Sequence, residues 1–292
     1  MSHEITEYFY SILNGLEVAI NSNLAIAFIG GLTGAFGGAL GAQHIVERSR
    51  RREDLRKELR NTNSATMVSM SICNAALALK KQHVQPLYDQ FKQDKEEIEN
   101  FQQQHAEGRK PGNNEYRFLA DFRIFPAPIV PIETLKDLAF SKISTVGRPL
   151  ALVAVIEQSL EGLKGAIQKR DILIQNFSHG QIPKDQIHLY YFGMPLPTGN
   201  INQEFPDTLS AIISYLNDAI FFSSLLCTDL VAHGDEVKEI YSKKFKKDSQ
   251  KVSTVDFSGP KEQGLFPPES DYSEWLNSFT KQKENVTQNN DA

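Results

Sequence analysis

"LAIAFIGGLTGAFGGALGAQHIVERSRRR", residues 24–52, is the stretch on which the reading of the whole chain turns. From Leu24 to Ala42 it carries no charge, its apolar character persists to Val46, and a block of arginines then stops it. At a rise of about 1.5 Å per residue, residues 24–46 extend roughly 35 Å as a helix, enough to cross a hydrocarbon core about 30 Å thick. Glycine costs about 1 kcal/mol per residue in the interior of a soluble helix. A bilayer forces the backbone to hydrogen-bond within the segment and removes most of that handicap. The stretch therefore reads as a transmembrane helix over residues 24–46.

The glycines have a pattern. Gly30, Gly34 and Gly38 stand four apart, and Gly37 and Gly41 form a second such pair. Residues four apart share one helix face, so these positions make a groove almost without side chains. Lipid provides no hydrophobic drive for helix pairing; close backbone approach and van der Waals contact have to supply it. No second convincing span is read in the chain, so the neighbour such a groove calls for is most simply another copy or another protein. The expectation is a homo-oligomer built on Gly30, Gly34, Gly37, Gly38 and Gly41.

Orientation follows from charge. No Lys or Arg precedes Arg48, while Glu4, Glu7 and Glu17 lie in that first stretch. A secretory signal needs a positive n-region, which is missing here. Arg48, Arg50, Arg51 and Arg52 flank the span on its C-terminal side, and the positive-inside rule places that side in the cytoplasm. The expectation is a single-pass protein of a bacterial inner membrane, in contact with membrane lipid, with its N-terminus outside. Within residues 1–23, Ile5, Phe9, Ile12, Leu16 and Ile20 recur at helical spacing and suggest an interfacial amphipathic helix leading into the span.

Beyond the arginines the apolar period is helical throughout, and the fold class is all-α: a cytoplasmic bundle of long antiparallel helices, coiled-coil-like, over residues 47–247. Met70, Cys73, Leu77, Val84, Leu87, Phe91, Ile98 and Phe101 make the first stripe, interrupted by Lys80 and Asp94. Pro86 should kink or break it. A second helix begins near Pro149 and a third after Asp207, read as its N-cap. A proline-punctuated connector, Phe122 to Pro131, leads to a short helix from about Ile132 to Ile143. The aromatic connector Ser178 to Pro206 is expected at the membrane-proximal end, with Tyr190, Tyr191 and Phe192 meeting headgroups or a partner. Residues 248–292 read as a mostly disordered tail with one amphipathic motif over 271–279. Its Tyr272, Trp275, Leu276 and Phe279 are spaced to dock in a groove of the bundle or of a partner protein.

Chemistry is scarce. The net charge of −5 argues against nucleic acid, whose phosphates need a basic face. Cys73 and Cys227 are far apart and form no CxxC pair. Phosphate-loop, nucleophile-elbow and HExxH motifs are missing, as are the Glu-x-x-His repeats of di-iron bundles. Asp229, His233 and Glu236 on the third helix, and His179, Asp185 and His188 in the second connector, read as charge pairs and not metal sites. The expectation is no enzyme, no cofactor and no metal. The architecture resembles bacterial immune and toxin-like membrane proteins, which pair one small-residue span with a helical cytosolic domain. That resemblance implies an oligomeric effector or pore gated by the bundle. The reading favoured by the residues is a membrane-anchored scaffold that self-associates through its span and recruits an unidentified protein partner on the cytoplasmic side.

Overall fold

The computed structural model describes residues 23–108, 117, 119–246 and 250–279. The amphipathic segment expected over residues 1–23 falls almost wholly outside them. Among the described residues the protein is all-helical, with one isolated antiparallel bridge between Pro195 and Ile201. Helix α1 runs Asn23–Leu79. A π-helical turn, Lys80–Val84, joins it to α2, Gln85–Ala106. Helix α3, Ile132–Asp137, runs into a second π turn, Leu138–Lys142. Helix α4 spans Arg148–Ser178, α5 Ile187–Phe192, α6 Glu204–Phe245 and α7 Ser258–Glu262. A 3₁₀ turn, Glu269–Tyr272, leads into helical residues 273–279. The chain divides into two compact units, Met1–Lys57 and Glu58–Ala292, and α1 contributes its first part to one and its second to the other.

Pro86 neither breaks nor reverses the helix. A proline inside a helix lacks the donor for one hydrogen bond and crowds the carbonyl four residues back. The π turn absorbs both problems: the Gln85 N–H donates to the Lys80 carbonyl five residues back, and Pro86 falls in the first turn of α2. Helix α4 starts where Pro149 predicts. Helix α6 starts earlier than expected, at Glu204, so Asp207 is not its N-cap. Asn202 Oδ1 accepts the Glu204 N–H at 2.9 Å, and Glu204 and Asp207 both lie in the first turn, where negative charge suits the helix dipole.

The second unit packs the later part of α1, with α2 and α4, around α6. Contacts fix their directions. Glu58 meets His233, Ser69 Oγ donates to the Ser223 carbonyl at 2.8 Å, and Cys73 faces Ile220, so α6 runs antiparallel to α1. Arg148 pairs with Asp229 and Lys169 with Glu204, so α4 is antiparallel to α6 as well. Helix α4 therefore runs parallel to α1 and α2, which corrects the expected alternation. Residues 119–147 carry the chain back along the bundle before α4 begins, with Phe125 in one core and Leu135 and Ile143 in the other. A core around Ile72, Leu152, Ile156 and Leu226 fills the Glu58 end; one around Phe91, Phe177, Phe192 and Phe205 fills the other.

Among the described residues, α6 is the helix long and apolar enough to cross a membrane, and half of its most apolar stretch is buried inside the protein. Leu216, Ala219, Ile220 and Leu226 are wholly enclosed between its neighbours. Span-like composition, expected at residues 24–46, thus also occurs in the middle of the bundle.

Candidate functional site

The glycines singled out in the sequence lie in the N-terminal part of α1, in the first unit. Gly30, Gly34, Gly37, Gly38 and Gly41 all lie in its helical backbone. At Gly37, Gly38 and Gly41 an added Cβ would meet nothing within 4 Å. Leu40, Ile45 and Val46 are 66%, 69% and 64% exposed, and Arg48, Arg50 and Arg51 are exposed beyond them, with Arg52 half-buried. Large apolar side chains and bare glycine backbone thus share one uncovered stretch of helix, bounded by cations.

The aromatic connector is not a surface. Tyr191 and Phe192 are 1% and 0% exposed, and Tyr190 is half-buried, so the expected contact of Tyr191 and Phe192 with headgroups or a partner is corrected. Tyr191 stacks on Phe205 at 4.5 Å between ring centres, and both rings lie against Phe91. This places the connector at the end of the bundle away from Glu58, opposite to the expected end. Burial of large rings outweighs any gain at a headgroup, and the parallel course of α4 carries them there.

Beside these rings lies Arg170. Arg170 is fully buried. Its guanidinium donates to the carbonyls of Arg123 at 2.8 Å and Asp121 at 2.9 Å and lies 4.9 Å from the Phe125 ring centre. Its Nε has no hydrogen-bond partner among the described residues. Burial pushes the Arg170 guanidinium down, against the pull of Asp121. Arg170 clamps the proline-rich connector to the core, and no bound substrate is needed to explain it.

The tail is also corrected. Residues 250–279 run over the bundle as an arm. The Asn63 side chain donates to the Lys251 carbonyl and accepts the Ser253 N–H, both at 2.9 Å. Val252 passes over Gly234 of α6, where a Cβ would lie 3.0 Å from it. Lys80, the first interruption of the apolar stripe, is buried and donates to Asn217 Oδ1 at 2.7 Å and to the Leu265 carbonyl at 2.8 Å. Burial pushes its ammonium down. Tyr272 stacks on Phe221 at 3.8 Å between centres, meets Phe222 edge-on, and donates its hydroxyl to Asp218 at 2.9 Å. Trp275 lies 4.9 Å from Phe222 and 4.7 Å from Phe279, and Leu276 packs on the same core. Of the two grooves left open by the sequence, the one on its own bundle is occupied.

The candidate acid and histidine groups separate. Asp229 is held by Arg148, His233 by Glu58, and Glu236 is exposed. His188 is held by Asp185, and burial pushes its imidazole down. Among the described residues no group of three His, Cys, Asp or Glu side chains is arranged to hold a metal. Cys73 and Cys227 are buried, and desolvation pushes their thiols up to about 12 and about 11, far from nucleophilic use. Comparison with protein families, with characterised proteins and with solved structures finds no match to this chain.

Proposed function

We propose that the chain is a membrane-anchored helical scaffold. It crosses the membrane once through residues 24–46, self-associates on the glycine face of α1 and presents its helical bundle in the cytoplasm. The observation that carries the reading is the uncovered glycine-rich helix of the first unit, with exposed Leu40, Ile45 and Val46 beside the arginine block. Such a surface is disfavoured in water and favoured in lipid, where glycine faces pair and cations stay at the boundary. Helix α6 has comparable composition but spends it on the core, which leaves the first unit as the segment for the bilayer.

With Tyr191, Phe192 and Tyr272 turned inward, a cytoplasmic protein partner would meet other residues. Among the described residues of the second unit, Leu119, Ile129 and Val146 are the large apolar side chains most open to it, with Ile129 wholly exposed. The test is particle mass of the full-length protein in detergent, for the wild type and for Gly37→Ile with Gly41→Ile. The scaffold reading predicts a small closed oligomer that the double substitution dissociates while the bundle's helical signal persists. A wild-type monomer would refute the self-association, and a ring that conducts ions in a bilayer would replace the scaffold by a pore.

A further inference from the structure

The two ends of the second unit differ in charge. At the end holding Phe91 and Phe205, α2 carries Asp89, Asp94, Glu96, Glu97 and Glu99 against Lys92 and Lys95. At the other end, residues 58–63 of α1 gather three separate segments. Glu58 meets His233 of α6 and Ser144, and the Asn61 side chain donates to the Lys142 carbonyl at 3.0 Å. The Asn63 side chain donates to the Lys251 carbonyl at 2.9 Å. Each segment brings cations: Lys142, Lys251 and, in the last turns of α6, Lys238, Lys244 and Lys246, with Arg60 on α1 itself.

These side chains are exposed, and among the described residues no carboxylate pairs with them. The exposed acids nearby are Asp137 of α3 and Asp235, Glu236 and Glu239 of α6, the last paired with Lys243. Beyond Glu239, the described charges of α6 are all positive. The helix dipole accounts for lysines at the end of α6 and for none in the other segments. An apolar tip stands among the cations: Val146, two residues after Ser144, is 79% exposed. Cations around an open apolar side chain fit an acidic lipid surface, whose phosphates take the charge and whose acyl boundary takes the tip. A dissolved anion would leave Val146 in water.

The chain enters the second unit at Glu58, after residues 47–57 that follow the proposed span. We infer that the Glu58 end of the second unit is a docking face for the acidic phospholipids of the cytoplasmic leaflet. The inference rests on the span proposed above and adds a second, reversible contact to that anchor. The leaflet then takes Val146, while Leu119 and Ile129 remain open to a protein partner.

The test uses full-length protein reconstituted in vesicles of phosphatidylcholine, alone or mixed with phosphatidylglycerol. A fluorophore is attached at Ser141→Cys, or at Lys184→Cys beyond α4 at the opposite end; the native Cys73 and Cys227 are buried. Nitroxides on the lipid headgroups quench whichever label lies near the surface. In mixed vesicles the label at 141 should be quenched about threefold more than that at 184, and in phosphatidylcholine alone this excess should vanish. Lys142→Glu combined with Lys244→Glu and Lys246→Glu should abolish the excess in mixed vesicles, as should salt at about 0.5 M. Equal quenching of the two labels in mixed vesicles would overturn the docking, and flotation of the protein with both vesicles would leave the span standing. An excess that survives both the triple substitution and salt would overturn the role of the cations. Protein that floats with mixed vesicles alone would refute the span and keep the basic face.

Discussion

At Glu58 a single carboxylate oxygen gathers the end of the bundle. Oε1 accepts the Ser144 N–H at 2.7 Å and the Ser144 hydroxyl at 2.8 Å, and lies 2.8 Å from His233 Nε2. Burial alone would push this carboxyl up; the hydrogen bonds from His233 and Ser144 outweigh it and hold it below its ordinary value of 4.5. Because the folded-state value lies below the unfolded one, the stabilisation is complete above about pH 4.5 and is lost as pH falls through the folded value. Glu58→Gln should therefore cost about 2 kcal/mol at neutral pH and flatten the acid limb of a melting-temperature profile. Parallel acid limbs for the two proteins would contradict this role. Gly193 offers a second test. It stands at φ 64° after α5, and an added Cβ would lie 2.5 Å from the Gln203 amide, whose nitrogen donates to the Gly193 carbonyl. Gly193→Ala should destabilise the bundle by about 1–2 kcal/mol in denaturant unfolding, the reverse of the usual gain from replacing glycine. Neither role was legible in the sequence. Ser144 and His233 stand 86 and 175 residues from Glu58, and nothing local marks the pairing.

Among the elements, the 3.6-residue period was enough to foresee the helices, because each long one keeps a single buried stripe. Directions were not legible, since the period of a helix says nothing about which way a long connector carries the chain. Lys80 and Asp94 were visible as interruptions, and both prove buried. The interruptions mark where the bundle accepts polar groups, and Lys80 ties it to the arm. The aromatic stripe of the tail was legible as a docking motif, but an amphipathic stripe does not name its groove. Substitution measures that docking. Tyr272→Ala removes a nearly buried ring and should cost about 3 kcal/mol in equilibrium unfolding. Tyr272→Phe keeps the stack on Phe221 and strands Asp218, whose carboxyl burial already pushes up, at a cost of about 1 kcal/mol. Equal costs for the two would assign the docking to the hydroxyl, and no cost for either would detach the arm from the bundle's stability.

For the whole molecule, the second unit folds around an apolar α6, and the described part of the first exposes Leu40, Ile45 and Val46 beside its arginines. Water tolerates the former and opposes the latter, and for that reason the proposed function puts residues 24–46 in the membrane and the bundle in the cytoplasm. A reporter fused after Ala292 should accordingly be active in the cytoplasm and silent outside it. Membrane insertion is the claim on which the proposed self-association depends. Extraction of membranes bearing the full-length protein with alkaline carbonate tests it most directly, because that treatment strips proteins held by charge and leaves those that span. The account predicts that the protein stays with the membrane pellet and that removal of residues 24–46 sends it to the supernatant. Full-length protein in the supernatant would contradict it.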